Sequence, residues 1–323
     1  MKAIRVHTPG GPDALRYEDV ADPAAGAGQA VVKVSACGVN YIDVYFRTGQ
    51  YKAPLPLTVG LEGAGTVTAV GSGAGDLKVG DRVAWTGIAG SYAQSIALPA
   101  DRAVKLPDGL SFKDGAAAML QGMTAHYLIT STYPLKSGDV CLVHAAAGGM
   151  GLLLCQMAKM RGATVIGTVS TEDKAALAKA AGADHVILYS KQDFVAETKR
   201  LTGGVGVNVI YDGVGASTFE KGFDCIRPRG LMALYGAASG PVGAFDLQIL
   251  NAKGSLFVTR PSLNHHIASR DELVQRAGDV LGWIRDGKVK LRLEHQFPLA
   301  DAAEAHRQLE GRRTTGKILL IPA

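Results

Sequence analysis

The chain has 323 residues, 47% of them hydrophobic and 20% charged, with a formal net charge of +5. That composition describes a globular protein with a large core and room for two domains, and it excludes a disordered or fibrous chain. The 34 Lys and Arg residues are spread along the sequence without a dense basic block or basic–aromatic interleaving, so nucleic acid is not the indicated partner.

Four cysteines, Cys37, Cys141, Cys155 and Cys225, form no CxxC or metal-type cluster. Buried free thiols in a reducing compartment are expected. The N-terminal MKAIRVHTPGG lacks the apolar stretch of a secretion signal, and no uninterrupted apolar run reaches about 18 residues. A cytoplasmic protein without a membrane partner is the expectation.

Residues 1–120 read as mainly β. Short strand-like runs at 3–6, 30–36, 63–70, 82–84, 92–98 and 103–105 are separated by Gly-, Pro- and Asp-rich turns at 10–13, 22–28 and 71–81. Close strand spacing with such turns indicates a barrel or rolled sheet. One short helix is expected at 41–47, YIDVYFR. From Phe112 the spacing becomes helical, with Ser111 as N-cap. Strands at 140–145, 164–169, 185–188, 207–212, 230–235 and near 255–258 then alternate with helices at 150–161, 172–181, 192–201 and 216–225. That alternation marks a doubly wound parallel sheet. In the tail, 272–286 and 301–309 read as helices, 295–298 as extended chain and 317–321 as a strand. Five or six strands already complete such a sheet, so the tail is expected to rejoin the first domain.

The most informative stretch is 139–170, DVCLVHAAAGGMGLLLCQMAKMRGATVIGTVS. Strand, small-residue turn, helix and strand follow in the order of a βαβ unit. The turn carries AxxGxxG from Ala145 to Gly151, a variant of GxGxxG with alanine in first place. So placed, Gly148, Gly149, Met150 and Gly151 would turn backbone amides toward a pyrophosphate at the helix N-terminus. A packing role for an Ala/Gly-rich turn is the competing reading. The end of the second strand, 168–170, has no Asp or Glu of the kind that binds ribose hydroxyls. Ser170, Thr171 and Lys174 instead offer two hydroxyls and a cation, which suits a 2′-phosphate and therefore NADPH. Ser170 or Thr171 also suits the cap of the next helix, and the two roles are compatible.

Taken together, the chain resembles the medium-chain dehydrogenase/reductase superfamily, and within it the zinc-free NADPH:quinone oxidoreductases that include zeta-crystallin. The likeness rests on GGPDALRYEDV at 10–20, GVNYIDVYFRTGQY at 38–51, GLEGAGTVTAVGSG at 60–73, VGDRVAW at 79–85, HAAAGGMG at 144–151, GTVST at 167–171, VTRPSL at 258–263 and TTGKILLIP at 314–322. It implies an α/β protein: a GroES-like β-rich catalytic domain over 1–124 and 263–323, and a Rossmann NADPH-binding domain over 125–262. It implies that Tyr189 joins Ser170, Thr171 and Lys174 around the 2′-phosphate, and that Asn40 lies by the nicotinamide ribose or amide. Tyr127, Tyr235, Gly236 and Ala237 would line the cofactor groove. Val258 and Arg260 would approach the nicotinamide side. Arg312 would reach the cofactor from the tail, with Arg313 as the neighbouring alternative. A homodimer through the last sheet strand, around 255–258, is implied by the same resemblance.

The zinc-dependent branch of that superfamily carries GVC where this chain has Gly38-Val39-Asn40, and GHE where it has Gly60-Leu61-Glu62. Leu61 has no ligand atom, and a zinc site needs three protein ligands. No metal is expected. Without a Lewis acid the acceptor must take hydride readily, as quinones and electron-poor alkenes do. Charge building on the acceptor oxygen calls for a hydrogen-bond donor, and Asn40, Tyr45 and Tyr51 are the candidates by motif. Tyr41 has an equal claim to being core, and His144 reads as structural. The expected activity is NADPH:quinone reduction. One alternative is a zinc-free enoyl reductase acting on α,β-unsaturated ketones or acyl-CoA, for which Arg47 and Lys52 are the only basic hint. The alternative of another class is a non-catalytic NADPH-bound protein with an RNA-binding or structural role.

Overall fold

The computed structural model describes residues 1–323. The chain begins with β1 (Lys2–Val6), β2 (Arg16–Asp19), β3 (Gln29–Val39), α1 (Tyr41–Arg47), β4 (Leu57–Thr58), β5 (Glu62–Val70), β6 (Arg82–Thr86), β7 (Ser95–Pro99) and β8 (Val104–Lys105). Helix α2 (Phe112–Tyr127) leads to β9 (Val140–Val143), α3 (Gly149–Met160), β10 (Thr164–Val169), α4 (Glu172–Ala180), β11 (His185–Leu188), α5 (Phe194–Leu201), β12 (Val207–Asp212), α6 (Phe219–Gly222) and β13 (Ile226–Leu234). The last elements are α7 (Gln248–Ala252), β14 (Phe257–Thr259), α8 (Leu263–His266), α9 (Arg270–Arg285), β15 (His295–Pro298), α10 (Ala302–Glu310) and β16 (Ile318–Ile321). Two compact units result: Met1–Met123 with Ile267–Ala323, and Thr124–His266.

In the first unit β3 is the spine. Its β-branched Val31, Val32, Val34 and Val39 favour the extended chain. One edge pairs with β5; the other pairs first with β7 and then with β16, all antiparallel. The sheet order is β15-β16-β3-β5-β6-β8, with β7 also on β3. A core of Ile4, Val32, Val67, Trp85, Tyr92, Leu98, Leu299 and Leu320 fills the space around it. The strand predicted at 92–98 starts only at Ser95. The backbone before it is drawn toward β1 instead, with Ile4 N–H bonded to Tyr92 O at 2.8 Å and Gln94 N–H to Lys2 O at 3.0 Å.

The second unit is a six-stranded parallel sheet in the order β11-β10-β9-β12-β13-β14. Runs such as VCLV and TVIGTV are almost wholly buried, as expected of strands covered on both faces. The order reverses between β9 and β12, so the loops leaving their carboxyl ends splay apart and form the switch point where such sheets take ligands. The helix predicted at 216–225 is a single turn. Its upstream half is held as a tight turn, with the N–H groups of Val214 and Gly215 donated to the Asp212 carboxylate and Ala216 N–H to Gly240 O.

Register shifts at Val31/Val32 and Val34/Ala36 bend the β3–β5 ladder. Between them β5 presses so close that a Cβ at Gly65 would stand 2.0 Å from the Lys33 carbonyl oxygen. Gly65→Ala should therefore destabilise the protein by about 3 kcal/mol. Urea unfolding should show a lower midpoint at unchanged slope.

Candidate active site

In the first unit three strand ends converge on one amide. Asn40 follows β3, Glu62 opens β5, and Lys317 precedes β16, whose Ile318 pairs with Val39. The Asn40 side chain is buried, and its hydrogen-bonding groups all have partners. Its Nδ2 donates to Glu62 Oε2 at 2.9 Å and to Gly38 O at 3.3 Å. Its Oδ1 accepts from Lys317 Nζ at 2.7 Å and Gln121 Nε2 at 3.1 Å. Lys317 Nζ also donates to Glu62 Oε2 at 2.5 Å, and Leu120 N–H donates to Glu62 Oε1 at 2.6 Å. Gly38 makes room for this arrangement: a Cβ there would fall 2.2 Å from Glu62 Oε2 and 2.5 Å from Ala116 O.

A second buried chain of hydrogen bonds supports the start of α1. Asn40 N–H donates to Asp43 Oδ2 at 2.8 Å, and Tyr92 Oη donates to the same oxygen at 2.9 Å. Tyr92 Oη also meets His306 Nε2 at 3.2 Å, and His306 Nδ1 meets Arg47 Nη1 at 3.1 Å. Arginine has no acceptor, so Nδ1 accepts, Nε2 carries the proton, and His306 is neutral. Burial, reinforced by Arg47, lowers the His306 pKa to about 3. Burial raises the Asp43 carboxyl to about 7 against the pull of the Asn40 and Tyr92 hydrogen bonds and the Lys317 charge. Arg47 ends the chain in a two-pronged pair with Glu310, at 2.8 and 2.9 Å.

This arrangement corrects the basic hint for an acyl-CoA. Arg47 is fully buried and committed to Glu310, His306 and Gly10 O, so it is not a surface cation for phosphate. Tyr45 and Tyr51 pack edge to face, with ring centroids 5.3 Å apart, and Phe46 lies 5.6 Å from Tyr51. Tyr41 donates its hydroxyl to Leu309 O at 3.2 Å. Arg312 and Arg313 are both exposed, and Arg312 adopts φ 56°.

In the second unit the β9–α3 turn is built for close approach. Ala145 takes φ 53°, a left-handed conformation that costs an L-residue about 1–2 kcal/mol. Ala146 N–H bonds to Thr168 O at 3.0 Å and ties the turn to β10. A Cβ at Gly151 would stand 2.3 Å from Ala145 O, so the helix can rest on its own turn only as glycine. Gly148, Gly149 and Met150 are partly exposed, and the first amides of α3 have no carbonyl within the helix.

Ser170, Thr171, Lys174 and Tyr189 gather at the carboxyl ends of β10 and β11, where Tyr189 N–H bonds to Val169 O at 3.1 Å. Thr171 caps α4 by accepting from Lys174 N–H at 3.3 Å. Glu172 pairs with Lys191 at 2.9 Å. On the far side of the switch point, Gly236 and Gly213 meet backbone to backbone: a Cβ at Gly236 would lie 2.5 Å from Gly213 O. The Tyr235 ring rests against Gly213, and Ala237 lies partly exposed in the same turn. Tyr127 is buried and stacked on His266, centroids 4.1 Å apart. Arg260 is exposed, its charge opposing the burial that raises the Tyr127 pKa, and Val258 is half-buried on β14.

Known proteins share this organisation. The sequence profile of the alcohol dehydrogenase GroES-like domain matches residues 26–108, and that of the zinc-binding dehydrogenases matches 149–275. Quinone oxidoreductase of Pseudomonas aeruginosa is 45% identical over 99% of both chains, and quinone oxidoreductase 1 of Escherichia coli is 46% identical over 99% of both. The chain belongs to the quinone oxidoreductase family of the medium-chain dehydrogenase/reductases. The crystal structure of Escherichia coli quinone oxidoreductase complexed with NADPH superposes with a TM-score of 0.98 over 100% of both chains, at 43% identity. The 2-haloacrylate reductase of a Burkholderia species is 42% identical over 100% of this chain and 99% of its own.

For this quinone oxidoreductase family member, sequence reasoning singled out Asn40 but not the side chains that hold it. Glu62 and Lys317 are 255 positions apart, so no local pattern joins them. The available signal was a lysine opening the apolar strand ILLI and a glutamate flanked by Gly and Leu. His306 and Asp43 give a testable pH dependence. His306, with a lowered folded pKa, stabilises the fold fully above about 6.5 and loses that contribution as pH falls toward 3. Asp43, with a raised folded pKa, contributes fully below about 3.9 and loses it as pH rises through 7. The stability of Asp43→Asn relative to wild type should thus improve by about 2–4 kcal/mol between about pH 4 and 8, read from denaturant midpoints across that range.

Proposed function

We propose that this protein is an NADPH-dependent quinone reductase that works without a metal. The observation that carries the proposal is its full-length likeness to the NADPH-bound Escherichia coli enzyme, at 43% identity. When bound, NADPH supplies a hydride from C4 of its nicotinamide. The Gly148–Gly151 cradle is assigned to the pyrophosphate, and Ser170, Thr171, Lys174 and Tyr189 to the 2′-phosphate. Tyr127, Tyr235, Gly236, Ala237, Val258, Arg260 and Arg312 are assigned to the remaining cofactor contacts.

The reducing chemistry asks three things of the chain: contact between donor and acceptor, exclusion of water, and a donor for the charge that builds on the acceptor oxygen. Asn40, with its amide already held by four partners, serves as a fixed surface for the nicotinamide end. Tyr45 and Tyr51 are the hydroxyls assigned to the acceptor. The residue chemistry supports a metal-free reaction, since Leu61 cannot ligate and the Asn40 oxygen is taken by Lys317. We further assign a homodimer to the open edge of β14, where Phe257 is 61% exposed, and a cytoplasmic location. No helix is long and apolar enough to cross a membrane.

A second reading, reduction of an activated alkene, is favoured by the likeness to 2-haloacrylate reductase. Steady-state oxidation of NADPH separates the two: quinones should be turned over well above background and enones slowly. Efficient enone turnover with none for quinones would reverse the assignment. Lys174→Ala should weaken NADPH binding about tenfold or more, the value of one charge-assisted contact, while leaving NADH affinity unchanged. Equal loss for both nucleotides would remove Lys174 from the phosphate site.

A further inference from the structure

The bonds around Asn40 point to a role for Lys317. An ammonium only donates and a carboxylate only accepts. Lys317 on one side of the Asn40 amide and Glu62 on the other therefore permit one orientation: Oδ1 toward the lysine, Nδ2 toward the glutamate. Turning the amide over would set its NH2 against the ammonium and its oxygen against the carboxylate. Lys317 is 3% exposed and Glu62 fully buried, so water does not supply an alternative partner. Gln121 Nε2 also donates to Oδ1, but as an amide it can offer either end, so the choice is made by the two charged groups.

We propose that Lys317 is a positioning residue for the reduction: with Glu62 it locks the Asn40 amide in one orientation beside α1, the helix that carries Tyr45. The pair is internally neutral, so it supplies direction without leaving net buried charge. This inference rests on the NADPH-dependent reduction proposed above, which assigns Asn40 to the nicotinamide end.

The test compares wild type, Lys317→Met, and the double variant Glu62→Gln/Lys317→Met, which removes both charges and leaves no orphan ion. Four quantities are read: thermal midpoint, NADPH affinity by fluorescence titration, kcat with 1,4-benzoquinone from pH 5 to 10, and the side-chain amide resonances of Asn40, identified by their loss in Asn40→Asp. The double variant should fold with a midpoint close to wild type and bind NADPH within threefold, yet lose tenfold or more in kcat. Its Asn40 amide protons should exchange with water at least tenfold faster. Lys317→Met alone should lose at least as much kcat as the double variant and should have a lower thermal midpoint, because Glu62 is left buried without its counter-charge.

Unchanged kcat together with unchanged amide exchange in the double variant would overturn the proposal. So would parallel losses of NADPH affinity and kcat, which indicate a structural effect alone. A wild type that reduces no quinone defeats the functional reading instead, and amide exchange then still decides the positioning role.

Discussion

The arrangement around Asn40 in the first unit depends on one buried ion pair. Lys317 and Glu62 lie in the protein interior, where removing either partner would leave a charge that costs several kcal/mol. Their retention is compatible with folding because each charge has further hydrogen bonds: Glu62 accepts from Leu120 N–H and Asn40 Nδ2, and Lys317 donates to Asn40 Oδ1. The geometry that allows this is set elsewhere. The β3–β16 register brings Lys317 beside Asn40, and glycine at 38 lets the carboxylate pass beneath the amide.

The same logic extends outward through Asp43, Tyr92, His306 and Arg47. Each group in that chain has its donor or acceptor role fixed by its neighbour, so the start of α1 is held by direction as well as distance. Within that chain Asp43, raised to about 7 by burial, is the group that responds at neutral pH, while His306 stays neutral there. Burial pushes the Cys155 and Cys225 thiols up to about 12 and those of Cys37 and Cys141 higher still, which leaves the four free cysteines inert as nucleophiles. Chemistry must then come from a bound cofactor and from the placement of a few polar atoms.

The parallel sheet was legible in the sequence because its strands are continuous apolar runs and its helices periodic, and the predicted strand 164–169 matches β10 residue for residue. The β-rich half was less so. Tyr92 reads as a strand residue, yet its backbone belongs to a bridge toward β1, a long-range pairing that no local pattern encodes. The Gly motif was legible for the same reason that the sheet was: its spacing is local. The Asn40 network was half legible. Motif reading reaches Asn40 and Leu61, but the partner lysine arrives from the other end of the chain, and only strand pairing brings it in. Arg47 shows the opposite failure, a cation that reads as available and is consumed by Glu310.

The two units divide the work. One offers a turn where alanine accepts left-handed strain so that α3 can rest on Gly151, with a phosphate-friendly corner beyond it. The other offers an amide steered by a lysine at a position where zinc-dependent relatives place a ligand. The central claim is that this fixed arrangement supports reduction with no metal. It is tested most directly by measuring quinone turnover against metal content in the purified protein, before and after exhaustive chelation. The account predicts full NADPH-dependent turnover in preparations holding far less than one equivalent of any transition metal. Turnover that falls with chelation and returns on adding zinc would contradict it.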